Sequence, residues 1–89
     1  MPYIMKAEPL VSRRTAIREG VFIETVLWRV PAPVRGSQHS YKYRLALVAH
    51  GVCVLRYDNE AGKGDHKHIG DSEFRYQFVD ADTLIGDPF

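Results

Sequence analysis

The sequence predicts a single α+β domain: an antiparallel sheet of about five strands built as a hairpin meander, with one short C-terminal helix against a face or edge. Three observations lead there. Segments dense in β-branched and aromatic residues, 21–30, Tyr41–Ala49 and 52–58, are separated by turn-forming residues. Only His50-Gly51 lies between the last two, which signals a tight two-residue hairpin. A helix-start pattern appears once, with Asp80 as cap, Asp82 in the first turn and Leu84-Ile85 opening an apolar stripe. A chain of 89 residues, 45% of them hydrophobic, holds one modest core and no second domain.

Taken in order, residues 3–11 are mixed apolar and interrupted by Pro9, an edge strand or extended arm. Residues 12–19 carry Arg13, Arg14 and Arg18 and read as a polar connection. Gly20 opens the strand at 21–30, which Pro31 closes. Residues 31–40 contain two prolines, a glycine and two serines and form a loop, with His39 expected in solvent. In the hairpin that follows, His50 is a turn residue, because histidine tolerates positive φ better than most side chains. Its two-residue register would set Ala49 opposite Val52, Leu47 opposite Val54, Leu45 opposite Arg56 and Tyr43 opposite Asp58, all on one face. Phe74, Tyr76 and Phe78 alternate with Arg75 and Gln77 as a last, half-buried strand. The helix ends at Gly86-Asp87-Pro88.

Composition excludes several classes. No apolar run approaches the length of a membrane span, and the first residues lack the pattern of a signal peptide, so a cytoplasmic protein with no membrane partner is expected. One cysteine, Cys53, rules out an internal disulfide and a cysteine-based zinc site, and its apolar surroundings suggest a buried thiol. The net charge of +1 conceals a polarity: residues 1–56 hold nine Lys/Arg against three Asp/Glu, and residues 57–89 hold three against eight. Such asymmetry permits a basic surface on a near-neutral protein, whose usual partner is nucleic acid; the alternative is that strands of a half-solvated sheet simply expose Arg and Lys on the wet face.

The richest chemistry lies in Tyr57-Asp58-Asn59-Glu60-Ala61-Gly62-Lys63-Gly64-Asp65-His66-Lys67-His68, delivered by the preceding strand to a loop with two glycines. Three readings fit. In an extended segment His66 and His68 point the same way, and with Asp58 or Asp65 they make a feasible divalent-metal site. Alternatively the imidazoles serve as acid and base in metal-free RNA cleavage, with no cofactor, while Lys63, Arg44 or Arg56 steadies phosphate charge. In the third, the glycines shape a turn whose charged residues merely pair for solubility.

Tyr41-Lys42-Tyr43-Arg44-Leu45, Arg56-Tyr57-Asp58-Asn59-Glu60 and Gly62-Lys63-Gly64-Asp65-His66-Lys67-His68-Ile69-Gly70 resemble the TumE family, the toxin halves of bacterial and archaeal toxin–antitoxin modules. The resemblance implies a small cytoplasmic toxin paired with a cognate antitoxin that typically carries a helix-turn-helix. Added to the residue chemistry, it favours an endoribonuclease in which His66 and His68 share the acid and base roles. Asp58 would orient one imidazole, Lys63 would support catalysis, and Arg44, Arg56, Tyr43 and Lys67 would hold RNA. The runner-up is a non-catalytic RNA- or protein-binding module, and a third reading is a metal-dependent hydrolase using His66, His68 and Asp65. The resemblance implies a C-terminal helix that continues beyond Leu84-Ile85, so the shorter helix here is expected to leave apolar surface open, to require a partner, or to mark a decayed or truncated copy.

Overall fold

The computed structural model describes residues 7–86, so the expected arm at 3–6 and the terminal Asp87-Pro88 lie outside the described residues. The strands are β1 (Glu8–Arg18), β2 (Val21–Arg29), β3 (Tyr41–Ala49), β4 (Val52–Glu60), β5 (Gly64–Ile69) and β6 (Ser72–Arg75), followed by the helix α1 (Ala81–Gly86). They form one antiparallel sheet in sequence order, each strand paired with the next. The count is six rather than about five. Residues 12–18, expected as a connection, complete β1. As an edge strand it is exposed almost throughout, so it needs no apolar alternation and its arginines guard the open edge. The polar motif is likewise mostly strand: only residues 61–63 turn, and β5 then pairs back onto β4. The last strand stops at Arg75, which frees Tyr76 and Phe78 to pack against the core.

That core lies on one face of the sheet, where Leu27, Tyr43, Leu45 and Tyr57 meet Leu84 from the helix. Tyr43, Leu45 and Leu84 are almost wholly buried, each burial contributing about 1.5–3 kcal/mol. Six residues are too few to hold a helix alone, so α1 forms because it caps this core. Asp80 Oδ1 accepts the Thr83 N–H at 2.6 Å, and that bond holds the Asp80 carboxyl below its ordinary range. The cover stops short: Val52, Ile69 and Phe74 remain exposed.

The β3–β4 hairpin turns at His50-Gly51, both with positive φ, and Ala49 opposes Val52 as expected. Beyond that the register departs from expectation. A bulge lets Cys53 face Val48 while Leu55, not Val54, faces Leu47; Tyr57 then faces Leu45 and Asp58 faces Arg44. One extra residue sends every later side chain to the opposite face. Unbulged pairing would set Arg56 and Asp58 among Leu45 and Tyr43; the bulge brings Leu55 and Tyr57 inward instead. Cys53 is exposed rather than buried, because it sits at the uncovered turn end of the sheet.

Asn59, wholly buried in β4, ties the 31–40 loop to the sheet. Its Nδ2 donates to Tyr41 O at 2.7 Å and to Ser37 Oγ at 3.2 Å, while Oδ1 accepts the Tyr43 N–H at 3.1 Å. His39 is not in solvent: it stacks on Phe78 with centroids 3.7 Å apart and reaches Asp65 Oδ1 at 2.8 Å. Because His39 Nδ1 accepts the Tyr41 N–H, its Nε2 carries the proton donated to Asp65.

Candidate functional site

The face opposite the helix is where the ionisable residues collect, and cross-strand register arranges them in two neighbouring rows. One row reads Arg44, Asp58, His66, Arg75 across β3 to β6; the next reads Glu24, Ala46, Arg56, His68, Glu73 across β2 to β6. Alternation within β4 and β5 puts Arg56 beside Asp58 and His66 beside His68 on this face.

Asp58 is the centre. Its Oδ1 lies 2.7 Å from His66 Nε2 and 3.9 Å from His68 Nε2, and its Oδ2 lies 3.0 Å from Arg56 Nε. The two imidazoles meet edge to face, 4.7 Å between centroids. Glu73 Oε1 approaches His66 Nε2 at 3.7 Å and Lys63 Nζ at 3.5 Å, while Arg44 is held away by Glu24 at 2.7 Å. His66 and Asp58 side chains are nine-tenths or more buried, whereas His68 keeps 24% of its side chain exposed.

Closeness here is not hydrogen bonding. Asp58 Oδ1, His66 Nε2, His68 Nε2 and Arg56 Nε are buried without a correctly directed partner, although the first two are within 2.7 Å. A buried polar atom left without a hydrogen bond costs about 1–3 kcal/mol, so four gathered around one carboxylate call for a partner that completes them. The backbone supplies one constraint: His66 Nδ1 lies 3.0 Å from Gly64 O, and since a carbonyl only accepts, Nδ1 carries the proton. Gly64 is required at that spot, with φ 75° and a Cβ that would strike the Gly36 carbonyl oxygen. With Nδ1 held by the carbonyl, His66 Nε2 faces Asp58 Oδ1 at 2.7 Å, a position filled either by a proton on that nitrogen or by a cation between the two atoms.

Of the residues singled out in the sequence, Asp58, His66, His68, Arg56 and Arg44 share this face, with Lys63 at its rim. Tyr43, Asp65 and Lys67 do not. Tyr43 stays on the core face with Leu45 while the bulge in β4 carries Asp58 to the other side; the Tyr43 hydroxyl donates to Asp65 Oδ1 at 2.7 Å, and burial, then that bond, push the phenol well above its ordinary value. Asp65 is thereby committed to Tyr43 and His39, so the carboxylate beside the histidines is Asp58. Lys67 projects over the Tyr57 ring on the helix face. Glu24 and Glu73 were missed. Glu24 had a signal, being the one charge inside the apolar run 21–28, but Glu73 had none until pairing set it opposite His68.

Among the described residues no helix is long and apolar enough to cross a membrane. Comparison with curated proteins and with solved structures finds no match. The sequence does match, over residues 4–88, the family described as toxin TumE. With nearly its whole length so matched, the chain belongs to the TumE family of toxins, the toxic member of a toxin–antitoxin pair.

Proposed function

We propose that this toxin acts on RNA as an endoribonuclease, with its reactive centre at Asp58, His66 and His68 on the helix-free face. The observation that carries the reading is the convergence of buried, undirected polar atoms from these three residues and Arg56 beside an open surface. Such atoms are stable only where something else completes them, which is the usual state of a binding or reaction centre.

RNA suits the surroundings. Cleavage through the 2′-hydroxyl needs a group to take its proton, a donor for the leaving 5′-oxygen, and cations near the phosphate. Proton exchange with substrate belongs on the His68 side of the cluster, the part open to solvent; His66 is locked between Asp58 and Gly64. Arg56 and Lys63 flank the centre as phosphate ligands, and Arg44 becomes one if the anion displaces Glu24. The partner is the cognate antitoxin, carrying a helix-turn-helix as the family resemblance implies.

The test is expression without antitoxin, followed by incubation of purified chain with RNA. Growth arrest and fragments ending in 2′,3′-cyclic phosphate are expected. His68→Gln should lower cleavage about 100- to 10,000-fold while circular dichroism stays unchanged. A folded His66/His68 double variant that arrests growth as fully as wild type would overturn catalysis and leave a binding-only toxin.

A further inference from the structure

We infer that Asp58 Oδ1, His66 Nε2 and His68 Nε2 together bind a divalent transition-metal ion of the Zn2+ class, an inference that rests on this cluster being the reactive centre.

Five observations support it. The three donor atoms all lie within 4.8 Å of one another. Donors about 2.0–2.1 Å from a tetrahedral zinc are about 3.3 Å apart, and the distances to Asp58 Oδ1, 2.7 and 3.9 Å, bracket that value. All three are also among the buried atoms with no directed hydrogen bond, as expected of atoms aimed at a common point rather than at each other. The proton on His66 Nδ1 leaves Nε2 as the lone pair, and the Gly64 carbonyl that holds it plays the outer-shell part that ligating histidines generally have. Arg56 at Asp58 Oδ2 leaves the other carboxylate oxygen for the ion.

Donor chemistry selects the ion. Two imidazoles and one carboxylate favour zinc and its transition-metal neighbours over magnesium or calcium, which prefer all-oxygen sites. Three protein ligands would leave a fourth position reached from the partly exposed His68 side, where a bound water rather than the His68 imidazole would exchange the proton with substrate, the pattern of reactive rather than structural zinc.

The experiment uses tag-free chain stripped with chelator and titrated with CoCl2 and then ZnCl2. One equivalent of Co2+ should give a visible d–d spectrum, which one equivalent of Zn2+ abolishes, and Zn2+ should raise the melting temperature. Asp58→Asn and His68→Gln should weaken binding by more than the roughly 10–100-fold that losing an outer-shell partner costs. His39→Ala and Asp65→Asn, on the other face, should bind as wild type. Binding below one equivalent, or binding unaffected by Asp58→Asn and His68→Gln in folded protein, overturns the inference. RNA cleavage that persists in excess chelator by protein that binds no ion overturns it too, while leaving the reactive centre intact. Tight binding without any RNA cleavage upholds the metal site and refutes the RNA reading instead.

Discussion

Replacing Asn59 by aspartate changes one NH2 group to oxygen and nothing in shape, yet it should make stability strongly pH-dependent. Asn59 is wholly buried, donates twice and accepts once. A protonated carboxyl keeps the acceptor for Tyr43 N–H and offers one donor, best spent on Tyr41 O. The Ser37 hydroxyl loses the amide as donor, so at low pH Asn59→Asp costs about 1 kcal/mol. Higher pH is different. The unfolded carboxyl ionises with a pKa of about 3.9, whereas the buried one faces the Tyr41 carbonyl and keeps its proton. A folded pKa raised above the unfolded one means stability present below the unfolded pKa and lost as pH rises. The loss is about 1.4 kcal/mol per pH unit, reaching about 4 kcal/mol at pH 7 if the folded carboxyl stays protonated to that point. Against a total stability of about 5–15 kcal/mol, that brings the variant near unfolding at neutral pH. Urea denaturation of wild type and Asn59→Asp at pH 4 and pH 7 measures both terms, and the wild-type difference removes titrations common to the two proteins. Equal destabilisation at both pH values, or less than about 1 kcal/mol at pH 7, would refute the claim that this amide is a buried double donor.

Leu84→Ala should cost about 2–5 kcal/mol in the same assay, since Leu84 is the fully buried helix residue; a loss under about 1 kcal/mol would mean the helix does not seal the core. The Asp80 carboxyl, held low by Thr83, contributes stability above its ordinary value of 3.8 that is lost as pH falls through the depressed folded value. Hydrogen exchange of the Leu84 amide, which donates to Asp80 O, should accelerate in acid in wild type but not in Asp80→Asn, where the cap cannot titrate. Deleting Val54 should leave a folded, growth-arresting protein, because a regular ladder keeps Leu55 and Tyr57 inward. Inserting a residue between Leu55 and Arg56 should instead unfold it, by turning Arg56 and Asp58 toward the core.

Legible in the sequence alone are the antiparallel meander, the His50-Gly51 turn, the Asp80-capped helix, the family, and the segment in which the ionisable residues concentrate. These depend on local features: β-branched runs, a turn dipeptide, a cap, and the fixed spacing of His66 and His68. It undercounted the strands for a local reason too, since β1 and β5 contain few apolar residues and owe their form to pairing with β2 and β4. Which carboxylate stands beside the histidines depends on the assembled sheet. Asp58 and Asp65 are alike in sequence, but a single bulged residue in β4 sends Asp58 to the open face, while Asp65 is taken by Tyr43 and by a histidine twenty-six positions away. Alternation carries side-chain direction along a strand with a period of two, so one unpaired residue inverts everything after it. Whether a residue is unpaired is settled by the burial of Leu55 and Tyr57 against Leu45 and Leu84, contacts that arise only when the whole sheet and its helix come together.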